Sequence, residues 1–178
     1  MSEKQEVIPD QESEPKVDLQ GNHWELPTDL RILNQVRDEI ERRLTELNWN
    51  STDIYWAVLA FDELIINGIA HGNQDLQSYK GDATQMYLDS QELTRNNPTD
   101  KKVFVTFTMD ERRVDGEVRD QGQGFEPTDQ EEKAVNGGLL DASGRGYLAL
   151  KRKLDTISYH KEEGVGTTVT FSYTRKQP

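Results

Sequence analysis

From Leu30 the apolar positions Leu33, Val36, Ile40, Leu44 and Leu47 recur every three or four residues, the spacing of one buried face of a helix. Residues 48–50 interrupt that stripe. A second begins with Ser51 or Thr52 placed to cap it and runs through Ile54, Ala57, Val58, Phe61, Leu64, Ile65 and Gly68. Further on the period changes from helical to alternating: Val103, Val105, Phe107 and Met109 interleave with Phe104, Thr106 and Thr108, as in a strand. Residues 110–113 turn the chain into a second strand over 114–119, giving a hairpin. A helix is expected from Gly146, burying Tyr147, Leu150 and Leu154; strands near 157–160 and 168–173 then flank Glu162-Glu163-Gly164 as a closing hairpin. A short first strand fits His23-Trp24-Glu25-Leu26, with Pro27-Thr28-Asp29 as turn and helix start. This order predicts an α+β two-layer sandwich, a mixed, mostly antiparallel sheet with helices on one face.

Two segments stand outside that plan. Residues 1–21 are acidic and polar, with Pro9 and Pro15 and little apolar periodicity, the composition of a disordered tail. Residues from about 74 to 101 form a polar insertion, helical only around Ala83, Met86, Tyr87 and Leu93. What remains, 22–178, suits one domain.

Composition narrows the chemistry. The formal net charge of -12 disfavours direct binding to nucleic acid and favours protein partners. The absence of cysteine removes disulfides, thiolate zinc sites and a cysteine nucleophile, and His23, His71 and His160 are too scattered for metal-ligand spacing. The opening residues lack a signal-peptide layout and no run approaches about 18 consecutive apolar residues, so the expectation is a cytoplasmic protein without a membrane span.

Four short segments carry the candidate chemistry. Glu63, Asn67 and His71 lie four apart, on a helix face largely off the apolar stripe. A carboxylate one turn before a carboxamide can set a base beside an oxygen ligand for a hard cation, although a solvated helix face looks the same. In Asp120-Gln121-Gly122-Gln123-Gly124-Phe125 a carboxylate at a strand end precedes two glycines that allow close backbone approach; the plain alternative is a turn. Asp120 could accept a hydrogen bond from an exocyclic amine such as that of adenine. Ser143-Gly144-Arg145-Gly146 opens into a helix, so its amides and the positive end of the dipole can face phosphate, or the segment can be a capping loop. Gly164-Val165-Gly166-Thr167-Thr168 offers a turn and a hydroxyl before the last strand.

In joint order and spacing these segments resemble the boxes of the GHKL, or Bergerat-fold, superfamily shared by gyrase, ninety-kilodalton heat-shock chaperones, histidine kinases and MutL. Within it, Asn67 to His71-Gly72-Asn73, Gly124-Phe125-Glu126-Pro127 and Ser143-Gly144-Arg145-Gly146 are similar to stand-alone anti-sigma factor serine kinases of bacterial partner-switching systems, over roughly residues 24–173. The resemblance implies ATP with magnesium as cofactor. It makes Glu63 the base that orients an attacking serine hydroxyl and Asn67 the magnesium ligand. It makes Asp120 the adenine reader, helped by Gly122, Gly124 and, across the pocket, Thr167, while Gly144, Arg145 and Gly146 border the triphosphate. Residues 126–143 would form a lid. A sigma factor, a STAS-type antagonist domain that receives the phosphate, and a second copy of the chain are the implied partners. Members of this branch usually leave the asparagine-bearing helix through a short link, so the insertion is a departure that adds surface.

Other readings fit less well. The chain has no Gly-x-x-x-x-Gly-Lys-Ser/Thr, and the loose dinucleotide pattern at Gly144 follows a loop instead of a strand. A histidine kinase core would need a histidine-bearing dimerisation helix, which the first twenty-odd residues do not offer. The rival from another class is a nucleotide-gated binding module that sequesters a partner without catalysis; a retained Glu63 speaks for the enzyme.

Overall fold

The computed structural model describes residues 13–76, 83–124 and 142–176. Five strands, β1 (His23–Pro27), β2 (Lys102–Met109), β3 (Arg113–Arg119), β4 (Thr156–Glu162) and β5 (Gly166–Thr174), form one sheet in the order β1-β2-β3-β5-β4. Every pairing is antiparallel, so the mixed component expected of the sheet is absent among the described strands. Two of the pairings, β2–β3 and β4–β5, are hairpins, which are antiparallel by construction; β1–β2 and β3–β5 are joined through longer connections and are antiparallel as well.

Alternation decides which side of the sheet is wet. Trp24, Leu26, Val103, Val105, Phe107, Val114, Val118, Val169, Phe171 and Tyr173 are buried, whereas their strand neighbours Glu25, Thr106, Glu117 and Thr170 are exposed. The helices cover the apolar face: α1 (Leu33–Glu46), α2 (Ser51–Asn67) and α4 (Ala142–Lys153), with α2 packed against both α1 and α4 as well as β3. Edge-to-face rings knit the two layers, with Phe61 of α2 5.7 Å from Phe107 and 5.1 Å from Phe171, and Trp24 4.6 Å from Phe107. Phe171 finds room because its cross-strand partner is Gly116, where a methyl group would stand 2.3 Å from the ring.

The first stripe becomes a helix after one 3-10 turn, Leu30–Ile32, whose start is held by the Asp29 carboxylate accepting from the Arg31 amide at 2.9 Å. The second helix is capped by Asn50, one residue before the expected Ser51 or Thr52, its side-chain oxygen accepting from the Asp53 amide at 2.9 Å. Asp53 in turn receives a hydrogen bond from the Tyr173 hydroxyl, tying the helix start to β5.

Residues 13–20, assigned by composition to a tail, lie along α1 instead. Gln35 donates to the Pro15 carbonyl at 2.8 Å, and Arg43 donates to the carbonyls of Leu19 and Gly21, each at 2.7 Å. Val17 and Leu19 pack on the core. The rest of the expected tail, residues 1–12, lies outside the described residues. The insertion yields a full helix, α3 (Ala83–Asn96), docked near the 3-10 turn.

The continuous helical stretch Ser51–Asn73 is long and apolar enough by length and composition to cross a membrane. Its apolar face is buried in the core between α1, α4 and the sheet.

Candidate functional site

The second helix does not end at Asn67. Gly68–Asn73 continue it as a single π-helical turn, closed by the Gln74 amide donating to the Ile69 carbonyl at 3.0 Å. Wide turns of this kind cluster at functional sites because they re-aim side chains. His71, within the turn, bonds through Nδ1 to the Leu76 carbonyl at 2.6 Å; a carbonyl only accepts, so Nδ1 carries the proton.

The two glycines of the turn explain its position. Gly68 lies against Val103 and the Cβ of Asp120, and a methyl group on Gly72 would stand 2.4 Å from Cγ of the Asp120 carboxylate. The π-turn therefore backs directly onto the residue that follows β3. On its other side Asp120 meets the start of β5: its amide donates to the Thr167 carbonyl at 3.0 Å, and its Oδ1 accepts from the amides of Thr167 at 3.1 Å and Gly122 at 2.8 Å. Oδ2 makes no hydrogen bond to a described residue and stays available to a ligand. Burial raises the Asp120 pKa above the usual carboxylate range, with the two amides and the charge of Lys101 working the other way.

Backbone packs on backbone around this carboxylate. A methyl group on Gly122 would sit 2.1 Å from the Gly72 carbonyl oxygen, and one on Gly166 2.2 Å from the Asp120 carbonyl oxygen. Gly124, at φ +83°, turns the chain beside Lys161. Asn73 locks the arrangement: its Oδ1 accepts from the Gln121 amide at 2.8 Å, and its Nδ2 donates to the Thr28 hydroxyl at 2.9 Å and the Lys102 carbonyl at 3.0 Å.

One helical turn before the π-turn lies the acidic part of the site. Asn67 is 7% exposed, and its carboxamide makes no hydrogen bond to a described residue. Glu63 is half-buried and its pKa is pushed up to about 7, chiefly by burial and further by the charge of Asp62. Asp62 forms an ion pair with Arg37 of α1; its other oxygen is buried without a partner among the described residues. Burial raises the Asp62 pKa, with Arg37 opposing.

The structure thus brings Asp120, Gly122, Gly124 and Thr167 together at one end of α2, with Asn67 and Glu63 along the same helix. Thr167 contributes through its backbone, holding Asp120. Gly144, Arg145 and Gly146 lie inside α4, not in a loop before it, because the helix starts at Ala142, four residues earlier than expected. Its free first-turn amides therefore run to about Gly144, while that of Gly146 falls within the helical ladder. The lid over 126–143 lies, save its last two residues, outside the described residues. A groove of about 450 Å³ between α1 and α2, lined by Glu41, Thr45, Trp49 and Tyr55, holds none of these motifs.

Thr28, Asn73, Gln121 and Gly166 lie in or beside the quoted segments, but the sequence assigned them no role in the site. Gly68 and Gly72, spaced four apart on a helix, were the available signal, since helical glycine on one face marks close approach. The Thr28–Asn73 contact left none, its two residues being 45 apart in the chain.

Residues 26–173 match the family of the histidine kinase-like ATPase domain. No curated protein matches the chain. The matched stretch contains both hairpins, the π-turn, Asn67 and Asp120, and the chain accordingly belongs to the histidine kinase-like ATPase domain family, an ATP-using fold.

Proposed function

We propose that this ATPase-family domain is a serine protein kinase of the anti-sigma factor type, holding a sigma factor and phosphorylating a serine of a STAS-type antagonist domain. The observation that carries the reading is Glu63: a carboxylate titrating near 7, one helical turn before the unpartnered carboxamide of Asn67. A general base works best when its pKa lies near the operating pH.

Asn67 fits a magnesium ligand, a mostly buried residue whose side-chain oxygen no described residue uses. Among the described residues no group of three or more His, Cys, Asp or Glu side chains is placed to hold a metal, which suits an ion bound by one side chain, phosphate oxygens and water. Bound magnesium would neutralise phosphate charge. Asp120 would receive the adenine amine on Oδ2, its other oxygen being fixed by two amides, and the first-turn amides of α4 would face the phosphates. Ionised Glu63 would take the proton of the serine hydroxyl as that oxygen bonds to the γ-phosphorus and the bond to the ADP oxygen breaks.

The partners and a cytoplasmic setting belong to the same proposal, supported by the acidic surface and the motif phrases around Asn67 and Gly124. Incubation with γ-labelled ATP, magnesium and a STAS-type substrate, followed by mass spectrometry, should yield phosphoserine on the substrate. ATP binding without any phosphoserine would replace the kinase with a nucleotide-gated binding module.

A further inference from the structure

The inserted helix is joined to the π-turn by an unusually complete polar contact. Gln74 directly follows that turn, and every function of its carboxamide is used on α3. Its Oε1 accepts from the Ser90 hydroxyl at 2.6 Å, and its Nε2 donates to the Ser90 carbonyl at 3.1 Å and to the Thr94 hydroxyl oxygen at 3.0 Å. Ser90 and Thr94 lie one helical turn apart, so their spacing matches a single amide. The Thr94 hydroxyl donates to the Ser90 carbonyl at 2.9 Å and also lies 3.3 Å from the Thr28 carbonyl. Ser90 is fully buried, and Tyr87 of the same helix packs against the core.

The contact leads straight to the pocket. Thr28 donates its hydroxyl proton to the Lys101 carbonyl at 2.7 Å and accepts from Asn73, whose Oδ1 holds the Gln121 amide. Gly72, between His71 and Asn73, abuts the Asp120 carboxylate and the backbone of Gly122. A shift of α3 is therefore felt by the wall of the pocket as well as by the apolar core that Tyr87 packs against. Polar networks of this kind fix geometry when every member is satisfied and release it when one is lost.

We propose that α3 is a latch on the nucleotide pocket, in which Gln74, Ser90 and Thr94 are positioning residues that press the π-turn, with Gly72 and Asn73, against Asp120. The latch acts on nucleotide affinity and leaves the phosphoryl-transfer step at Glu63, on the preceding part of the helix, unaffected. It rests on the reading of Asp120 as the adenine contact.

The test titrates magnesium-ATP and magnesium-ADP into the full chain and measures turnover against ATP concentration. Thr94→Val removes the hydroxyl at constant shape and is expected to raise Kd and KM about 3- to 10-fold, as expected for loss of one coupled hydrogen bond, with kcat within two-fold of wild type. Gln74→Leu should move the same way, and Thr94→Ser, which keeps the hydroxyl, should restore wild-type affinity. Nucleotide Kd within two-fold of wild type in both Thr94→Val and Gln74→Leu, with only the melting temperature lowered, would reduce α3 to a structural brace and overturn the latch. Asp120→Asn serves as the control: unchanged binding in that variant would remove the pocket reading itself, and the latch with it.

Discussion

Glu63→Gln is expected to cut phosphoryl transfer by roughly 10²- to 10⁴-fold, the usual worth of a positioned general base, while nucleotide affinity stays within a few-fold. The same substitution should stabilise the protein at alkaline pH. In the unfolded chain this carboxyl titrates near its ordinary 4.5, and in the folded protein at about 7, because burial and the charge of Asp62 disfavour its ionised form. A carboxyl with a raised folded pKa favours folding fully below 4.5, and that contribution is lost as pH rises through 7. Wild type therefore carries a half-buried charge at pH 8 that glutamine does not. Discounted for partial exposure, the difference should be about 1–3 kcal/mol at pH 8, and it should vanish near pH 4. Urea denaturation of both proteins at the two pH values measures it. Wild-type transfer should also rise with pH through about 7, whereas the residual rate of the variant should lack that limb. Equal transfer rates in the two proteins would remove Glu63 from the role of base.

Gly122→Ala should abolish nucleotide binding for a different reason. The new methyl group would stand 2.1 Å from the carbonyl oxygen and 2.4 Å from the carbonyl carbon of Gly72. These are backbone atoms of a π-turn that is itself wedged against Asp120, so no side chain can swing away to relieve the contact. Either the Gly122 loop or the π-turn must move, and each move removes a donor or a wall from the Asp120 carboxylate, the proposed adenine contact. A loss of affinity for ATP of at least about 100-fold is expected, since a small misplacement at a preorganised site costs that much. The fold should persist, because both hairpins and the ring cluster of Trp24, Phe61, Phe107 and Phe171 lie away from this contact. Circular dichroism alongside nucleotide titration separates the two effects; an alanine variant that binds ATP normally would contradict the described packing.

The fold was largely legible because its core follows simple periods. Val36, Ile40 and Leu44 are buried on α1 as their spacing requires, and Val103, Val105 and Phe107 alternate into the core from β2. The carboxylate after β3 and the acid-amide pair on α2 were legible too, as residue types at helical and strand-end spacings. What the chain did not reveal was long-range or depended on glycine. The start of α4 was placed too late because Gly144 and Gly146 are poor helix formers, yet both lie inside the helix. The π-turn left no period to read over six residues. Asn73 and Thr28, Arg37 and Asp62, and Arg43 with the carbonyls of residues 19 and 21 meet only after folding. Residues 13–20 were misassigned for the same cause: their few apolar groups look insufficient alone, and their order comes from hydrogen bonds supplied by α1.

All of this depends on Asp120 and the π-turn forming the wall of an adenine nucleotide pocket. Calorimetric titration of magnesium-ATP into the wild-type chain and into Asp120→Asn tests it directly. One saturable site per chain is predicted for wild type, weakened about 10- to 100-fold by the substitution, in keeping with loss of a hydrogen bond to a charged acceptor. No saturable binding of ATP to the wild-type protein, or binding that Asp120→Asn leaves unchanged, would contradict it.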